Sequence, residues 1–505
     1  MELLSPAGNV EKLYYAYAYG ADAAYIGLKK FSLRIKADNF YEEEYKKVIE
    51  LKKQFPEKKL HCALNICFHN DDIDSFIRDI GYFKQYPIDA FIVQDLGVVP
   101  ILQKNFPDAA LHLSTQASCV NREAVKMYKS IGFKRIVLGR EASLKEIRQI
   151  KDAVPDMELE AFVHGAMCIA YSGRCLMSSL LTGRSAQSGF CSHTCRWDFD
   201  LKCRPDFVSV SCSSSDSDRK IISPEKAKQL AQSGTLAIEE HSRRGEYFPV
   251  YEGDDFTAIL SSKDIKMIDH LKDMKEAGLD SLKIEGRMKS TYYVALVTRA
   301  YRKAIDALDG KITDEEAAPF IAELENVSHR ESTTGFYYSR ADADKTTQGA
   351  SDSAYDLCAT IGRKFSEEEK STVLKTASET KNKIQSELDL MHPKAREARL
   401  KDYQKNPERK ITPIENYDGW NMYEYEPLNM VDYNSELEFI SPDVVFTPAK
   451  KGEWLLVNPE NASVRNWVCN GHQCILYTKY DLQKGTLLRV KDNGYVEGIV
   501  RDTGR

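Results

Sequence analysis

Short apolar strands alternate with amphipathic helical stretches through the first 310 residues, and this alternation restricts the possible folds more than any other feature. Seven predicted strands follow one another, and an eighth comes much later, after a helix predicted over Lys263–Ala277. The predicted strands are Glu2–Pro6, Ala23–Gly27, His61–Ile66, Asp89–Gln94, Ala110–Thr115, Arg135–Leu138, Leu159–Val163 and Ser281–Ile284. Such alternation indicates parallel β/α units, and eight units predict a TIM-like (β/α)8 barrel.

A doubly wound open sheet is the alternative fold for the same pattern. Sheets of that kind that bind dinucleotides carry a G-x-G-x-x-G loop after the first strand. Here the first strand is followed by AGNVEKL, which lacks that spacing of glycines. The barrel is therefore the favoured prediction, and its active site is expected at the carboxyl ends of the strands.

Polar residues follow most of the predicted strands, at the end of the barrel where substrates bind. Acid–base chemistry is expected from a histidine or a carboxylate, and the candidates are His164, Glu141 and Glu285. For His164 the competing interpretation is a histidine satisfied by a neighbouring carbonyl. The candidate substrate-binding residues are Arg34, Asn39, Arg140 and Arg287. Arginine suits carboxylates and phosphates equally well, so the sequence leaves open whether these arginines bind an anionic small molecule or RNA.

Four cysteines follow the seventh strand in the pattern C-x6-C-x15-C-x3-C. They are Cys168, Cys175, Cys191 and Cys195, and glycine, serine and threonine surround them. Thiolates gathered in this way suit an iron–sulfur cluster or, less well, zinc, whose ligands usually come as close pairs. The competing interpretation is a set of reduced structural cysteines. We predict a 4Fe-4S cluster beside the barrel mouth; because four cysteines leave no open iron position, its predicted role is redox or structural.

The composition limits the classes of protein and partner that are possible. The 505 residues carry 70 Lys and Arg against 76 Asp and Glu, a net charge of −6. That balance excludes a surface coated in basic charge, although a local cationic groove can still contact nucleic acid. The amino terminus lacks the pattern of a signal peptide, and no segment offers the length of apolar residues that a membrane span needs. We therefore expect a cytoplasmic protein without a membrane partner, in which clustered cysteines indicate metal or redox chemistry.

The predicted domains follow these patterns along the chain. Residues 1–310 form the barrel domain, interrupted by the cysteine-rich insertion at about 164–255. A linker with a short helix at Asp314–Leu324 follows at 311–354. Short strands and turns at 355–505 predict a small C-terminal β-barrel-like module. A lysine-rich helical insertion interrupts that module at about 366–413. A charge run is usually a solvated surface, but these lysines could also contact RNA phosphates.

Several long motifs in the first 350 residues resemble those of the peptidase U32 family. They are ELLSPAGN, GADAAYIG, STQAS, FVHGAMCIAYSGRCLMSS, CSHTCRW and SLKIEGRMKS. The resemblance implies oxygen-independent, prephenate-dependent hydroxylation of a tRNA wobble uridine to 5-hydroxyuridine. It also implies a 4Fe-4S cluster on the four cysteines, with tRNA, prephenate and an electron-donor protein as partners. The lysine-rich insertion looks like a departure from the family.

Two other functional classes stay open at this point. The family's name suggests a peptidase or collagenase-like hydrolase, although the sequence contains neither an H-E-x-x-H zinc motif nor a G-x-S-x-G nucleophile elbow. A non-catalytic scaffold that carries a cluster and presents RNA to a partner enzyme is the third possibility. For an RNA substrate, Tyr25 and Tyr171 are candidates to stack on an extruded base, with ordinary packing as the competing role.

Overall fold

The computed structural model divides the chain into two compact units, Met1–Asp352 and Ser353–Arg505. It describes residues 1–33, 38–168, 170–171, 262–339, 353–406 and 410–491, together with the backbone of four short strands between 237 and 258. Arg34 and three of the four clustered cysteines therefore lie outside the described residues.

The first unit begins with seven parallel strands that pair in chain order. These strands are β1 (Glu2–Pro6), β2 (Ala23–Ile26), β3 (Lys59–Leu64), β4 (Ala90–Val93), β5 (Ala110–Leu113), β6 (Arg135–Val137) and β7 (Glu158–Ala166). The helices between them are α1 (Val10–Ala18), α2 (Glu44–Gln54), α3 (Asn70–Phe83), α4 (Val99–Asn105), α5 (Arg122–Ile131) and α6 (Leu144–Ala153). Local signals set several helix starts; for example, Ser143 and Glu146 form a reciprocal capping box at α6.

The chain closes the barrel only after the long excursion that follows β7. Its described backbone forms two antiparallel pairs, β8 (Ala237–Glu239) with β9 (Tyr247–Pro249) and β10 (Tyr251–Glu252) with β11 (Thr257–Ala258). The unit is completed by β12 (Asp264–Lys266), α7 (Leu271–Glu276), β13 (Ser281–Ile284), α8 (Thr291–Leu308), α9 (Asp314–Ala322) and β14 (Ser332–Thr333). Strand β13 pairs in parallel with both β1 and β7, which closes an eight-stranded barrel. The predicted (β/α)8 fold class is confirmed.

Two segments of the first unit differ in detail from the prediction. The helix predicted over Lys263–Ala277 is a strand followed by a shorter helix, because β7 extends beyond the barrel and β12 pairs antiparallel with this extension. Residues 311–354, predicted as a linker with a short helix, contain that helix as α9 and also β14, which pairs with β12. Sequence periodicity could not show the pairings of β12 and β14, since both depend on an unpaired strand edge that only the folded barrel creates.

Charged side chains occupy positions inside the barrel where branched aliphatic residues usually pack. Glu160 is 0% exposed and accepts hydrogen bonds from Lys283 Nζ at 2.8 Å and Arg135 Nη1 at 3.0 Å. Arg135 also pairs with Glu2, so the network joins β1, β6, β7 and β13. Burial alone would raise the pKa of Glu160, but Lys283 and Arg135 hold it below its usual value. The carboxylate is therefore charged in the folded protein, and its partners are required to compensate that charge.

Two histidines lie beside this network. The rings of His61 on β3 and His112 on β5 meet edge to face, with their centroids 4.8 Å apart. Burial lowers the pKa of His61 to about 4 and that of His112 well below its usual value. Both imidazoles are therefore neutral inside the barrel at physiological pH.

The second unit is an antiparallel β module that a helical pair interrupts after its first strand. It contains β15 (Tyr355–Lys364), α10 (Glu367–Leu390), α11 (Pro393–Lys405), β16 (Asn421–Pro427), β17 (Val431–Asp432), β18 (Leu437–Ile440), β19 (Thr447–Ala449), β20 (Trp454–Asn458), β21 (Ser463–Arg465), β22 (Trp467–Val468), β23 (Cys474–Thr478) and β24 (Leu487–Lys491). Eight of these strands form one sheet, in the order β19-β18-β24-β15-β16-β23-β20-β21. One apolar cluster packs around Trp454 and a second around Tyr477, and Ala377 of α10 joins the second.

Pro393 shows how sequence sets the boundary between the two helices of the second unit. It occupies the first turn of α11, where a missing backbone N–H costs nothing, and α10 ends just before it. Within the described part of the chain, no helix is both long and apolar enough to cross a membrane.

Removing one charge from the barrel interior should destabilise the first unit. We expect Lys283→Met to lower the free energy of unfolding by about 3–5 kcal/mol, because the charge of Glu160 would lose its closest partner. Urea denaturation followed by circular dichroism measures the effect. Glu160→Gln combined with Lys283→Met removes both charges and should cost less than the single change; an equal or larger cost would contradict this role.

Acidification should also weaken the first unit through the buried histidines. Their folded pKa values lie below the unfolded value of about 6.5, so the unfolded chain binds more protons between that pH and about 4. Stability is therefore complete above about 6.5 and falls as the pH drops through this window. Denaturation midpoints measured from pH 7 to pH 4 should show the fall, and His61→Gln combined with His112→Gln should make it shallower. An unchanged slope would contradict the assignment.

Candidate functional site

The barrel mouth holds an ion pair between residues that follow β6 and β13. Arg140 Nη2 lies 3.0 Å from Glu285 Oε2, and Arg140 is only 8% exposed. Its guanidinium carbon stands 3.8 Å from the ring centroid of Phe162 on β7. Within the described residues, its Nε is buried without a hydrogen-bond partner. The structure thus brings two predicted site residues together and leaves one donor of the guanidinium unused there.

Phe162 separates this ion pair from the charged network deeper in the barrel. Lys283 Nζ lies 5.4 Å from the Phe162 ring centroid and 4.6 Å from that of Tyr25. Cations favour the faces of aromatic rings, so Phe162 interacts favourably with both Arg140 and Lys283. The prediction missed Phe162 and Lys283. A detectable signal was the alternation of Glu158, Glu160 and Phe162, which places charge on the interior face of β7.

Arg287 and Asn39 lie together, but inside the protein and not on an open surface. Arg287 is 3% exposed and donates from Nη2 to Ser32 Oγ at 2.6 Å. A Cβ built on Gly27 would lie 2.0 Å from Arg287 Nη1 and 2.9 Å from Asn39 Oδ1, so only glycine leaves room for them at that position. These contacts tie the loop after β2 to the end of β13. That loop also carries Arg34, which lies outside the described residues.

A β-bulge turns His164 away from the barrel interior. Lys283 of β13 is opposite Phe162 of β7, but the next residue, Ile284, is opposite His164, so β7 has one extra residue. Beyond the bulge, His164 Nδ1 lies 3.3 Å from the hydroxyl of Tyr301 on α8. Burial lowers the pKa of His164 to about 3. The imidazole is thus neutral and packed against α8, and the polar group beside its Nδ1 is the Tyr301 hydroxyl and not a carbonyl.

Gly165 follows the bulge and permits the close approach of two strand ends. Its φ is +97°, and a Cβ there would lie 2.6 Å from the carbonyl oxygen of Glu285. Glycine adopts this backbone conformation without steric cost. The tight junction positions the backbone of Glu285, whose N–H donates to the His164 carbonyl at 2.9 Å.

Glu141 and Tyr171 are brought close at the same end of the barrel. Burial raises the pKa of Tyr171, and the nearby charge of Glu141 raises it further. Tyr171 is 55% exposed, so its ring is accessible at the start of the cysteine-rich segment. Tyr25 differs, because it is buried and its hydroxyl donates to the Ile284 carbonyl at 2.9 Å. Tyr25 thus has the packing role that was the alternative to base stacking.

Cys168 lies two residues beyond β7, at the carboxyl end of the barrel strands, and is partly exposed. The neighbouring Met167 carbonyl accepts a hydrogen bond from Ser262 Oγ at 2.6 Å, which joins the two ends of the excursion after β7. Cys175, Cys191 and Cys195 lie outside the described residues. One of the four cysteines predicted to hold the cluster therefore follows the end of β7, and a set of four thiolates has the chemistry that an iron–sulfur cluster needs.

Comparison with known proteins relates this barrel to a family. The family model described as Peptidase family U32 matches residues 8–347. The tRNA hydroxylation protein P of Escherichia coli K12 is 35% identical over 425 residues, which cover 84% of this chain and 93% of that protein. The protein of the same name from Haemophilus influenzae is 38% identical over 341 residues, covering 66% of this chain and 73% of its own length.

A relative named for a different RNA is similar over about as many residues as the Haemophilus influenzae protein. The 23S rRNA 5-hydroxycytidine C2501 synthase of Escherichia coli K12 is 34% identical over 350 residues, covering 67% of this chain and 46% of that protein. The family match covers more than half of the chain. The chain belongs to peptidase family U32.

Proposed function

We propose that this protein hydroxylates RNA, and that its substrate is a wobble uridine of tRNA, which becomes 5-hydroxyuridine without molecular oxygen. The observation that carries the proposal is the similarity, over 84% of the chain, to a relative named for tRNA hydroxylation. The similar rRNA 5-hydroxycytidine synthase supports the same kind of chemistry, attachment of a hydroxyl group to a pyrimidine. The proposed hydroxyl donor is prephenate, and the proposed cofactor is a 4Fe-4S cluster.

The cluster would be held by Cys168, Cys175, Cys191 and Cys195. A cluster bound there supplies one-electron redox chemistry or rigidity to the barrel mouth. Replacing a pyrimidine C–H bond by C–OH removes an electron pair from the nucleoside, so the proposal includes, besides the oxygen donor, a protein electron acceptor that takes this pair. The position of Cys168 at the strand end supports a site where both could meet the base.

Arg140 is proposed to bind a carboxylate of the donor. Its guanidinium is held in place by the stacking contact with Phe162 and by the ion pair with Glu285. The Nε edge has no partner within the described residues, and a planar fork of donors suits a carboxylate. A donor bound at that edge would lie beside Glu285, the carboxylate proposed to accept the proton that leaves the base. His164 is not proposed for this step, because its ring packs against α8 and its pKa, which burial lowers to about 3, makes it a weak base.

Loss of the cysteines should abolish both iron binding and product formation. We expect Cys168→Ala, or a change of any of its three proposed partners, to reduce iron and acid-labile sulfide to background in protein purified without air. Nucleoside mass spectrometry of tRNA treated with the protein, prephenate and an electron acceptor measures the product. Cys469→Ala, in the second unit, is the control and should keep both properties. Full activity in an iron-free Cys168→Ala protein would overturn the cofactor assignment, and product from wild-type protein alone excludes a non-catalytic scaffold.

Arg140→Lys should weaken donor binding more than it slows turnover. A lysine keeps the charge but loses the fork, and a hydrogen bond to a charged group is worth about 1.5–3 kcal/mol, so KM for prephenate should rise roughly 10–100-fold. Steady-state kinetics at saturating tRNA measures the change. Arg148→Lys, in an exposed ion pair with Asp152 on α6, is the matched control. Equal KM values for the two variants would remove Arg140 from the donor site.

A further inference from the structure

The helical pair α10 and α11 extends from the second unit with little packing of its own. The first half of α10 is attached to the sheet through Val373, Leu374 and Ala377. Beyond Ala377, no residue of either helix is buried. A helix of 13 residues that buries nothing gains no stability from a core, so its surface is available to a partner.

The side of α11 that faces α10 is satisfied within the chain. Arg396 pairs with Asp389 at 3.4 Å, and Arg399 lies 3.9 Å from Glu387. Arg399 also donates from Nε to the hydroxyl of Tyr403 at 2.8 Å. These contacts fix which side of α11 turns toward α10, and hence which side turns away from it.

Three lysines form a row on the side that turns away. Lys394, Lys401 and Lys405 are spaced by one heptad and then by four residues, which keeps them within about 40° of one another around a helix of 3.6 residues per turn. All three are exposed, and we call them the lysine stripe. Lys401 forms an exposed ion pair with Glu397, whereas Lys394 and Lys405 make no ion pair with any residue that the structure describes.

The charge of α11 contrasts with that of the whole protein. The helix carries five basic and two acidic residues, a net charge of +3, whereas the chain as a whole has −6. The arginines are paired inward, while the stripe presents flexible ammonium groups outward. Lysine contacts phosphates as a point charge and needs no defined geometry, which suits an RNA backbone. At 1.5 Å per residue the stripe spans about 16 Å, the length of roughly four to five phosphates along one strand.

We propose that the lysine stripe binds the phosphate backbone of tRNA. The inference rests on the proposed function for the identity of the nucleic acid, but it concerns a surface of the second unit and not the barrel mouth. Backbone contacts of this kind carry no sequence information; they add affinity and fix the register of the substrate. The lysine-rich insertion would thereby add backbone contacts to those made where the base is modified.

Charge reversal of the stripe tests the proposal in the full-length protein. Lys394→Glu, Lys401→Glu and Lys405→Glu together should weaken binding of unmodified tRNA at least tenfold at low salt. The slope of log affinity against log salt should fall by about 2–3, because each phosphate contact contributes roughly 0.7–0.9. The triple change to glutamine should give a smaller loss in affinity with a similar loss of slope. Filter binding at several salt concentrations measures both quantities, and circular dichroism checks that the helices persist.

The control carries the same change in net charge elsewhere on the second unit. Lys375→Glu, Lys383→Glu and Lys450→Glu alter exposed lysines outside the stripe, and binding should change much less. Equal losses in the two triple variants would show general electrostatics and overturn the proposal, as would unchanged binding by the stripe variant. If the stripe variant binds tRNA weakly but wild-type protein forms no 5-hydroxyuridine, the proposed function fails and the stripe stands. If wild-type protein forms the product and the stripe variant binds tRNA as wild type does, only the stripe fails.

Discussion

Strand β13 pairs with β1 and with β7, and this double pairing holds the carboxyl ends of all eight strands in one ring. The same strand carries Lys283, whose ammonium group compensates the buried charge of Glu160. The strand that closes the barrel therefore also supplies one of the charges that compensate Glu160. Strand β13 begins more than 100 residues after β7, so other segments of the chain could compete for its place in the barrel. The charge of Lys283, complementary to that of Glu160, favours β13 over those segments.

The bulge where β7 pairs with the end of β13 places Phe162 and His164, which are close in sequence, on opposite faces of the sheet. On the interior side of β7, Phe162 supports Arg140, which reaches Glu285 beyond β13. Two residues after Phe162, a bulge sends His164 to the opposite face, where α8 covers it. Bulges beside functional sites often serve to re-aim a side chain. In this barrel the bulge leaves an arginine–carboxylate pair at the mouth and removes the imidazole from it.

In the second unit, the two sides of α11 carry different basic residues, and one side is paired with α10. Its sheet packs apolar residues on both faces, and α10 completes one of the two clusters. The basic residues of α11 that meet α10 are arginines with acidic partners, whereas those on the far side are lysines. A polar helix that is ordered without a core is consistent with a surface maintained for binding. The proposed chemistry and the proposed contacts with the RNA backbone would then reside on different units of one chain.

The sequence alone determined the number and order of the β/α units, since each depends on a local periodicity and on caps such as Ser143 and Glu146. It also marked the strand ends where polar residues gather, and Arg140, Glu141 and Glu285 do lie at those ends. Tertiary structure decided which of the marked residues face the mouth. Arg287 and Arg140 have the same sequence signal and both are buried, but Arg140 pairs with Glu285, whereas Arg287 donates to Ser32 of the loop after β2, which is distant in sequence. His164 was re-aimed by a bulge that exists only once β7 and β13 pair, and pairing between distant strands has no local signature because it is decided by register and burial.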